Sequence, residues 1–164
     1  MLRARAPIEF EWAGPAYRFP DDLVGLGARA CARTGGTAEV VAVAPGDEAL
    51  LERHFADWTA ELAERQPVFA TVLGGSAVSL CASARPMRGA AGLFEACRAT
   101  EAGIETVAAH RGHGYAAPAV AAWAAEVVRL GGSPLYSTSW ANWASRVVAR
   151  KLGLICFGVD VHVR

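Results

Sequence analysis

The sequence predicts an α/β or α+β layer fold built on a mixed sheet. Two observations carry this. Along the second half of the chain the apolar pattern alternates between the period of a strand and the period of a helix, with glycines or prolines at the changes. In addition, 164 residues at 53% hydrophobic composition supply enough apolar material for a core that needs no disulfide or metal staple. One domain over residues 1–164 is therefore expected, with no internal repeat and no low-complexity linker.

Taken in order, residues 40–43 (Val-Val-Ala-Val) form a short β run that ends at the Pro45-Gly46 turn. Asp47 then stands where a helix N-cap would. Leu50, Leu51, Phe55, Trp58 and Leu62 recur at helical spacing up to the break at Pro67, which predicts an amphipathic helix of about 19 residues. Residues 68–73 and 77–82 are strand-like runs around Gly74-Gly75 and predict an antiparallel hairpin. Pro86 and Gly89 mark 85–92 as a loop, and 93–100 suits either a short helix or a strand.

From Glu101 the alternation sharpens. Residues 103–107 read as a strand and 134–140 as another. Between them lies a helix over 115–130, with Ala116, Val120, Trp123, Val127 and Leu130 on one face. This is a βαβ unit, so its strands should be parallel with a right-handed crossover, and Gly131-Gly132 ends the helix. Asn142 is placed to cap a second helix that runs to Leu152 and stops at Gly153; residues 154–163 form a last strand. The first 60 residues carry no distinctive motif.

Sixteen basic side chains against sixteen acidic ones give a net charge of +0, so no strong field is available to hold nucleic acid or an anionic membrane surface, and neither partner is expected. The start of the chain has two arginines but no apolar run behind them, unlike a signal peptide. The low-polarity stretch 114–128 is shorter than a membrane span and holds Pro118 and Glu126. A soluble, cytoplasmic protein is expected. Cys31, Cys81, Cys97 and Cys156 are scattered, with no metal-ligand spacing, and read as reduced and mostly buried; no metal site is expected.

Chemistry is expected at His110-Arg-Gly-His-Gly-Tyr-Ala-Ala117, which joins a strand end to a helix start. A helix N-terminus offers unpaired N–H groups and the positive end of the dipole, and glycines let an anion approach the backbone. The plainer reading is a tight turn that needs glycine geometry. Gly112-x-Gly114-x-x-Ala117 also fits the dinucleotide fingerprint of an NAD-type enzyme. That fingerprint expects an acidic residue some 20 positions on, and residues 131–143 contain no Asp or Glu.

The same loop reads as Arg111-Gly-His-Gly114-Tyr-Ala116, an R/Q-x-x-G-x-G/A pattern, and is followed by Asn142-Trp-Ala-Ser145 and Arg150-Lys-Leu-Gly-Leu154. With these motifs the chain resembles the GNAT superfamily of acyl-CoA N-acyltransferases, most strongly over residues 68–164. The resemblance implies a mixed, mostly antiparallel central sheet with helices on both faces. It implies transfer of an acetyl group from acetyl-CoA to a primary amine by direct attack on the thioester, without a metal. It places the coenzyme pyrophosphate on Arg111, Gly112, His113, Gly114, Tyr115, Ala116 and Ala117, and the pantetheine arm against the strand backbone at Glu105, Thr106 and Val107, with Asn142 as a further contact. The amine acceptor stays unidentified, and a homodimer stays open.

Within that resemblance, Glu105 is the candidate general base for the incoming ammonium, with Glu101 behind it; a solvent-facing strand glutamate is the plainer reading. The family commonly carries a tyrosine acid seven residues after the asparagine, where this chain has Ala149. Ser145, one turn earlier, is the candidate proton source for the leaving thiolate. A thiol with a pKa of about 8.5 needs modest help, and general acid assistance is typically worth about 10² to 10⁴. Ala149 also motivates a different reading, an acyl-CoA-binding or regulatory domain without turnover. His110 and His113 read as exposed loop residues, Trp123 as core, Trp140 and Trp143 as candidates for a pocket wall, and Arg146 and Arg150 as a solvated helix face.

Overall fold

The computed structural model describes residues 10–23, 26, 38–84 and 99–163. Among these, seven strands form one sheet: β1 (Phe10–Arg18), β2 (Glu39–Ala42), β3 (Val68–Leu73), β4 (Ser76–Ser83), β5 (Ala99–Thr106), β6 (Ser133–Ser137) and β7 (Ile155–Val163), in the spatial order β2-β3-β4-β5-β6-β1-β7. Two α-helices are described, α1 (Ala116–Arg129) and α2 (Trp143–Leu152). Only β5 and β6 run parallel; the other neighbours are antiparallel. That is the crossover expected from the βαβ pattern. The loop expected over 85–92, residues 93–98, Cys31 and Cys97 lie outside the described residues.

The hairpin forms around Gly74 and Gly75, both at positive φ (58° and 81°), a conformation that side-chain-bearing residues rarely adopt. Alternation along its strands sorts the core into two clusters. Cys81, with Phe69, Ile104, Tyr17 and Tyr136, packs on the face that receives α1 and α2. Val68, Ala70, Val72, Leu80 and Ala82 face the other way, against Leu51, Phe55 and Leu62. On the helix side, Ala117, Ala119, Ala121 and Ala124 are buried beside Val120, Trp123 and Val127. Small side chains let α1 sit close to the sheet, and the Trp123 indole donates to the Ser83 hydroxyl at 3.3 Å. Of the two described cysteines, Cys81 is buried, which pushes its thiol pKa up, and Cys156 is exposed.

The segment expected as one long helix before Pro67 is different. It folds as two 3₁₀ segments, Glu48–Leu50 and Ala56–Glu61, separated by Phe55 in a non-helical conformation. His54, Phe55, Trp58 and Thr59 have weak helix propensity, and Thr59 turns its hydroxyl onto the Ala56 carbonyl. Leu51, Phe55 and Leu62 still reach the core, so the apolar spacing reported burial correctly and backbone type incorrectly.

Strand β1 carries no sequence signal, because Gly14-Pro15 reads as a turn. It lies between β6 and β7, and Pro15 sits just beyond the end of the β1–β6 ladder at Ala16↔Ser137, where a missing N–H costs little. Gly14 is required for space. A Cβ there would meet the Thr138 carbonyl oxygen at 1.7 Å and the Ser139 Cα at 2.6 Å, both backbone. Gly14→Ala is expected to destabilise the protein by at least ~3 kcal/mol in chemical denaturation. Gly158→Ala on β7, whose added carbon meets nothing within 4 Å, should change it by less than about 1 kcal/mol.

Candidate active-site cleft

The β5–β6 ladder has three residue pairs, Ala99↔Ser133, Thr100↔Pro134 and Glu101↔Leu135. Beyond them β5 continues to Thr106 with β4 as its paired neighbour, from Ala102↔Ser83 to Thr106↔Ser79. The strands part there, and a cleft of about 610 Å³ opens between β5, β6, the start of α1 and the outer face of α2. Clefts of this size hold small molecules and cofactors. A parted parallel strand also turns its unladdered N–H and C=O groups toward whatever enters.

At one wall the chain leaves β5 through a single 3₁₀ turn, Ala108–His110, and enters α1 across Gly112 and Gly114, at φ 81° and 92°. Arg111 Nε donates to the Thr106 carbonyl at 3.2 Å, and Thr71 Oγ1 donates to the Tyr115 carbonyl at 2.7 Å, so both ends of the loop are tied. Tyr115, the N-cap residue, makes no side-chain cap bond, which leaves the first N–H groups of α1 for a ligand or solvent. A methyl group built on Gly114 would lie 3.9 Å from the Lys151 ammonium nitrogen. A cation from the last turn of α2 thus stands over the positive end of α1, a favourable place for an anion.

Glu105 belongs to the opposite face of β5, since Ala102 and Ile104 pack in the helix-side cluster while Val107 joins the other. Its carboxylate is exposed and accepts the Trp58 indole N–H at 2.7 Å; Arg65 lies 4.7 Å over that indole. Glu101, four residues earlier on the same face, accepts the Ser137 hydroxyl.

On the helix side, Asn142 Oδ1 accepts the Ser145 N–H at 3.1 Å and so caps α2, and Gly153 closes the helix in the left-handed conformation. The Tyr136 hydroxyl reaches Ser145 Oγ at 2.6 Å and the Ser145 carbonyl at 3.0 Å. Both residues line the cleft. Burial pushes the Tyr136 phenol pKa up, so this hydroxyl stays neutral. Ala149, at the position of the tyrosine acid in the resembling family, does not line the cleft: it is 1% exposed within the helix-side core. The position is filled core, not a vacant acid slot, because the α2 face at 149 turns to the sheet.

Of the sequence-derived site residues, Glu105, Thr106, Arg111, Gly112, Gly114, Tyr115, Ala116, Asn142 and Ser145 line the cleft. Three do not. Val107 packs in the far core cluster, Ala117 is buried in the near one, and His113 stacks on Tyr115 at 5.9 Å with Nδ1 2.9 Å from the Arg111 carbonyl. Of the two tryptophans expected at a pocket wall, Trp143 lines the cleft and Trp140 does not; the structure adds Tyr136, Val147, Val148 and Lys151, with His110 at the loop. Their signal was available in part: Lys151 follows Arg150 in the last turn of α2, but only the fold brings it to Gly114. Trp140 and Trp143 are exposed and hold the Arg146 guanidinium 5.4 and 4.6 Å from their ring centres. Among the described residues no cluster of three metal-ligating side chains occurs, and no helix is long and apolar enough to cross a membrane.

The sequence matches no family model and no curated protein sequence. The fold matches solved acetyltransferase structures. A GCN5-related N-acetyltransferase-like protein from Streptococcus suis aligns over 96% of this chain and 62% of its own, with a TM-score of 0.66 and 17% identity. A GNAT-family acetyltransferase from Colwellia psychrerythraea aligns over 95% and 56%, at TM-score 0.64 and 13% identity. A GCN5-related N-acetyltransferase from Kribbella flavida aligns over 95% and 59%, at 0.59 and 16%. The chain therefore has the GNAT acetyltransferase fold and spans about six-tenths of the length of these neighbours.

The loop and Lys151 make a testable unit. Lys151→Met is expected to weaken binding of inorganic pyrophosphate by roughly tenfold, the scale of one charge-assisted hydrogen bond. Phosphorus NMR titration at low salt measures it, with Arg129→Met, a cation already paired with Glu126, as the control.

Proposed function

We propose that this protein is a cytoplasmic N-acetyltransferase that moves an acetyl group from acetyl-CoA to a primary amine by direct attack on the thioester, without a metal. The observation that carries this reading is the cleft at the parting of β5 from β6, with an anion cradle on one face of the sheet and a carboxylate on the other. Pyrophosphate suits the N–H groups of Gly112 to Ala116 beside Lys151 and Arg111, and the β5 edge that β6 leaves unpaired, at Ile104 and the Thr106 N–H, suits the pantetheine amides. The solved neighbours described as acetyltransferases support the reaction class.

The layout also fits the reaction's direction. An amine arriving on the Glu105 face loses its proton to that carboxylate, directly or through water, because only the neutral amine is nucleophilic. Trp58 fixes the carboxylate that receives the proton. The lone pair attacks the acyl carbon, and the C–S bond breaks with its electrons on sulfur, toward the helix side, where Ser145 stands. Nucleophile and leaving group thus use opposite faces of the sheet.

Two outcomes test the reading. Acetyl-CoA at about 100 times its Kd should stabilise the wild type by about 2.7 kcal/mol in thermal denaturation. Gly114→Val, which forces a branched residue into a positive φ at the cradle, should lose most of that gain. Undiminished stabilisation in a folded Gly114→Val protein would place the coenzyme elsewhere. For the chemistry, Glu105→Gln should retain acetyl-CoA affinity and lower kcat/KM by about 10² or more, most at low pH, where the amine is protonated. Steady-state rates across pH with a panel of amines measure this; rates equal to wild type would assign the base to water. Tight acetyl-CoA binding with no thiol released to any amine would identify a non-catalytic binding domain instead.

A further inference from the structure

Tyr136 is not accounted for by the sequence motifs or by packing alone. It comes from the middle of β6, is 1% exposed, and packs edge-on against Tyr17 at 6.0 Å, yet its hydroxyl turns into the first turn of α2 and lines the cleft. There it meets two oxygens of a single residue, the Ser145 carbonyl at 3.0 Å and Ser145 Oγ at 2.6 Å. Two arrangements of the protons are open to this pair. If the phenol donates to the carbonyl, the serine must donate to the phenol, and its proton is spent. If the phenol donates to Oγ, the serine proton is left to point into the cleft. The Ser145 carbonyl lies inside α2, whose backbone ladder supplies it a donor of its own, so the phenol proton is free to lie along the shorter, 2.6 Å line to Oγ.

We propose that Tyr136 is a positioning residue that, by donating to Ser145 Oγ, aims the serine proton at the sulfur of the departing coenzyme A. This rests on the acetyltransferase reading above and assigns the thiolate-stabilising role to a strand residue, in place of the helix position occupied by Ala149. The step balances without net proton loss from the protein. As the C–S bond breaks its electron pair goes to sulfur, Ser145 Oγ–H hydrogen-bonds to that sulfur, and both hydroxyl protons stay on their oxygens. The buried phenol, held neutral, suits a fixed donor and not a proton that is given away. Asn142 completes the arrangement, since its cap on the Ser145 N–H fixes the turn from which the hydroxyl projects.

The test pairs Tyr136→Phe, which keeps the ring and removes the hydroxyl, with Ser145→Ala and the double variant. Thiol release from acetyl-CoA is followed with hydroxylamine as acceptor, corrected for the enzyme-free rate, so that no knowledge of the natural amine is needed. Each single variant should lower kcat by roughly 3- to 10-fold with coenzyme A affinity unchanged, and the double variant should be no slower than the worse single one. The second readout is the ultraviolet absorbance of bound coenzyme A thiolate against desulfo-coenzyme A: a donor at sulfur lowers the thiol pKa in the complex, and both variants should raise it equally. If Tyr136→Phe lowers only the melting temperature, leaving kcat and the thiol pKa alone, or if it speeds turnover by freeing the serine, the positioning role is wrong. A Tyr136→Phe protein that does not fold would be replaced by Ser145→Ala and Ser145→Cys, whose equality with wild type in both readouts would equally overturn it. A wild type that releases no thiol from acetyl-CoA defeats the acetyltransferase reading itself, a result distinguishable from failure of the variants.

Discussion

The structure depends on a hydrogen-bonded ladder that stops early. β5 and β6 are the sheet's parallel pair, and their register ends after Glu101↔Leu135 although both strands run on. Had the ladder continued in register past Ser137, the backbone groups that Ile104 and Thr106 turn away from β4 would be spent on the segment after β6 and the sheet would be closed. Because it stops, a sheet that is otherwise a barrier between two core clusters has a passage through it. The residues with chemistry are those that the passage brings together: a glycine loop, a lysine and a serine from the helix side, a carboxylate from the other.

Rigidity at the edges of this gap comes from ordinary packing. The alanine-rich face of α1 lies close on the sheet, so the position of its N-terminus is set by close contact and not by a loop. Thr71 holds the Tyr115 carbonyl, Arg111 holds the end of β5, and Asn142 fixes the start of α2. On the far side of β6, strand β1 pins Tyr136 through Tyr17, and Gly14 permits the close crossing by Thr138 that lets β6 turn away. Thr71, Tyr17 and Gly14 thus hold the walls from outside the cleft, while Arg111 and Asn142 hold them from its lining.

The electrostatic pattern follows the same division. The chain as a whole is neutral, so attraction for a charged ligand is local. Lys151 and the dipole of α1 supply it on the helix side, and Glu105 supplies the opposite sign across the sheet. Such a separation gives an anion and a cation different places of attraction, which keeps the two from competing for one charge.

The sequence by itself determined the second half of the fold: the hairpin, the βαβ unit, the Asn142 cap and the Gly153 stop are local signals, set by period, turn chemistry and capping over a few residues. It also determined that the Gly112–Gly114 loop would meet a helix start, and which residues of 50–62 are apolar enough to be buried. It could not determine their backbone, where packing against the sheet overrides a helical spacing carried by weak helix formers. Nor could it reveal β1, whose Gly14-Pro15 reads as a turn until β6 and β7 lie on either side of it. The site divided the same way. Asn142 and the loop were legible because each sits in a motif, and Glu105 because it is an acidic residue in the strand that feeds the loop; Lys151 also sits in a motif, but its place over Gly114, the role of Tyr136 and the burial of Ala149 were decided by tertiary structure. Which face of a helix meets a sheet, and where a ladder stops, are properties of contacts between segments distant in sequence, and no local pattern encodes them.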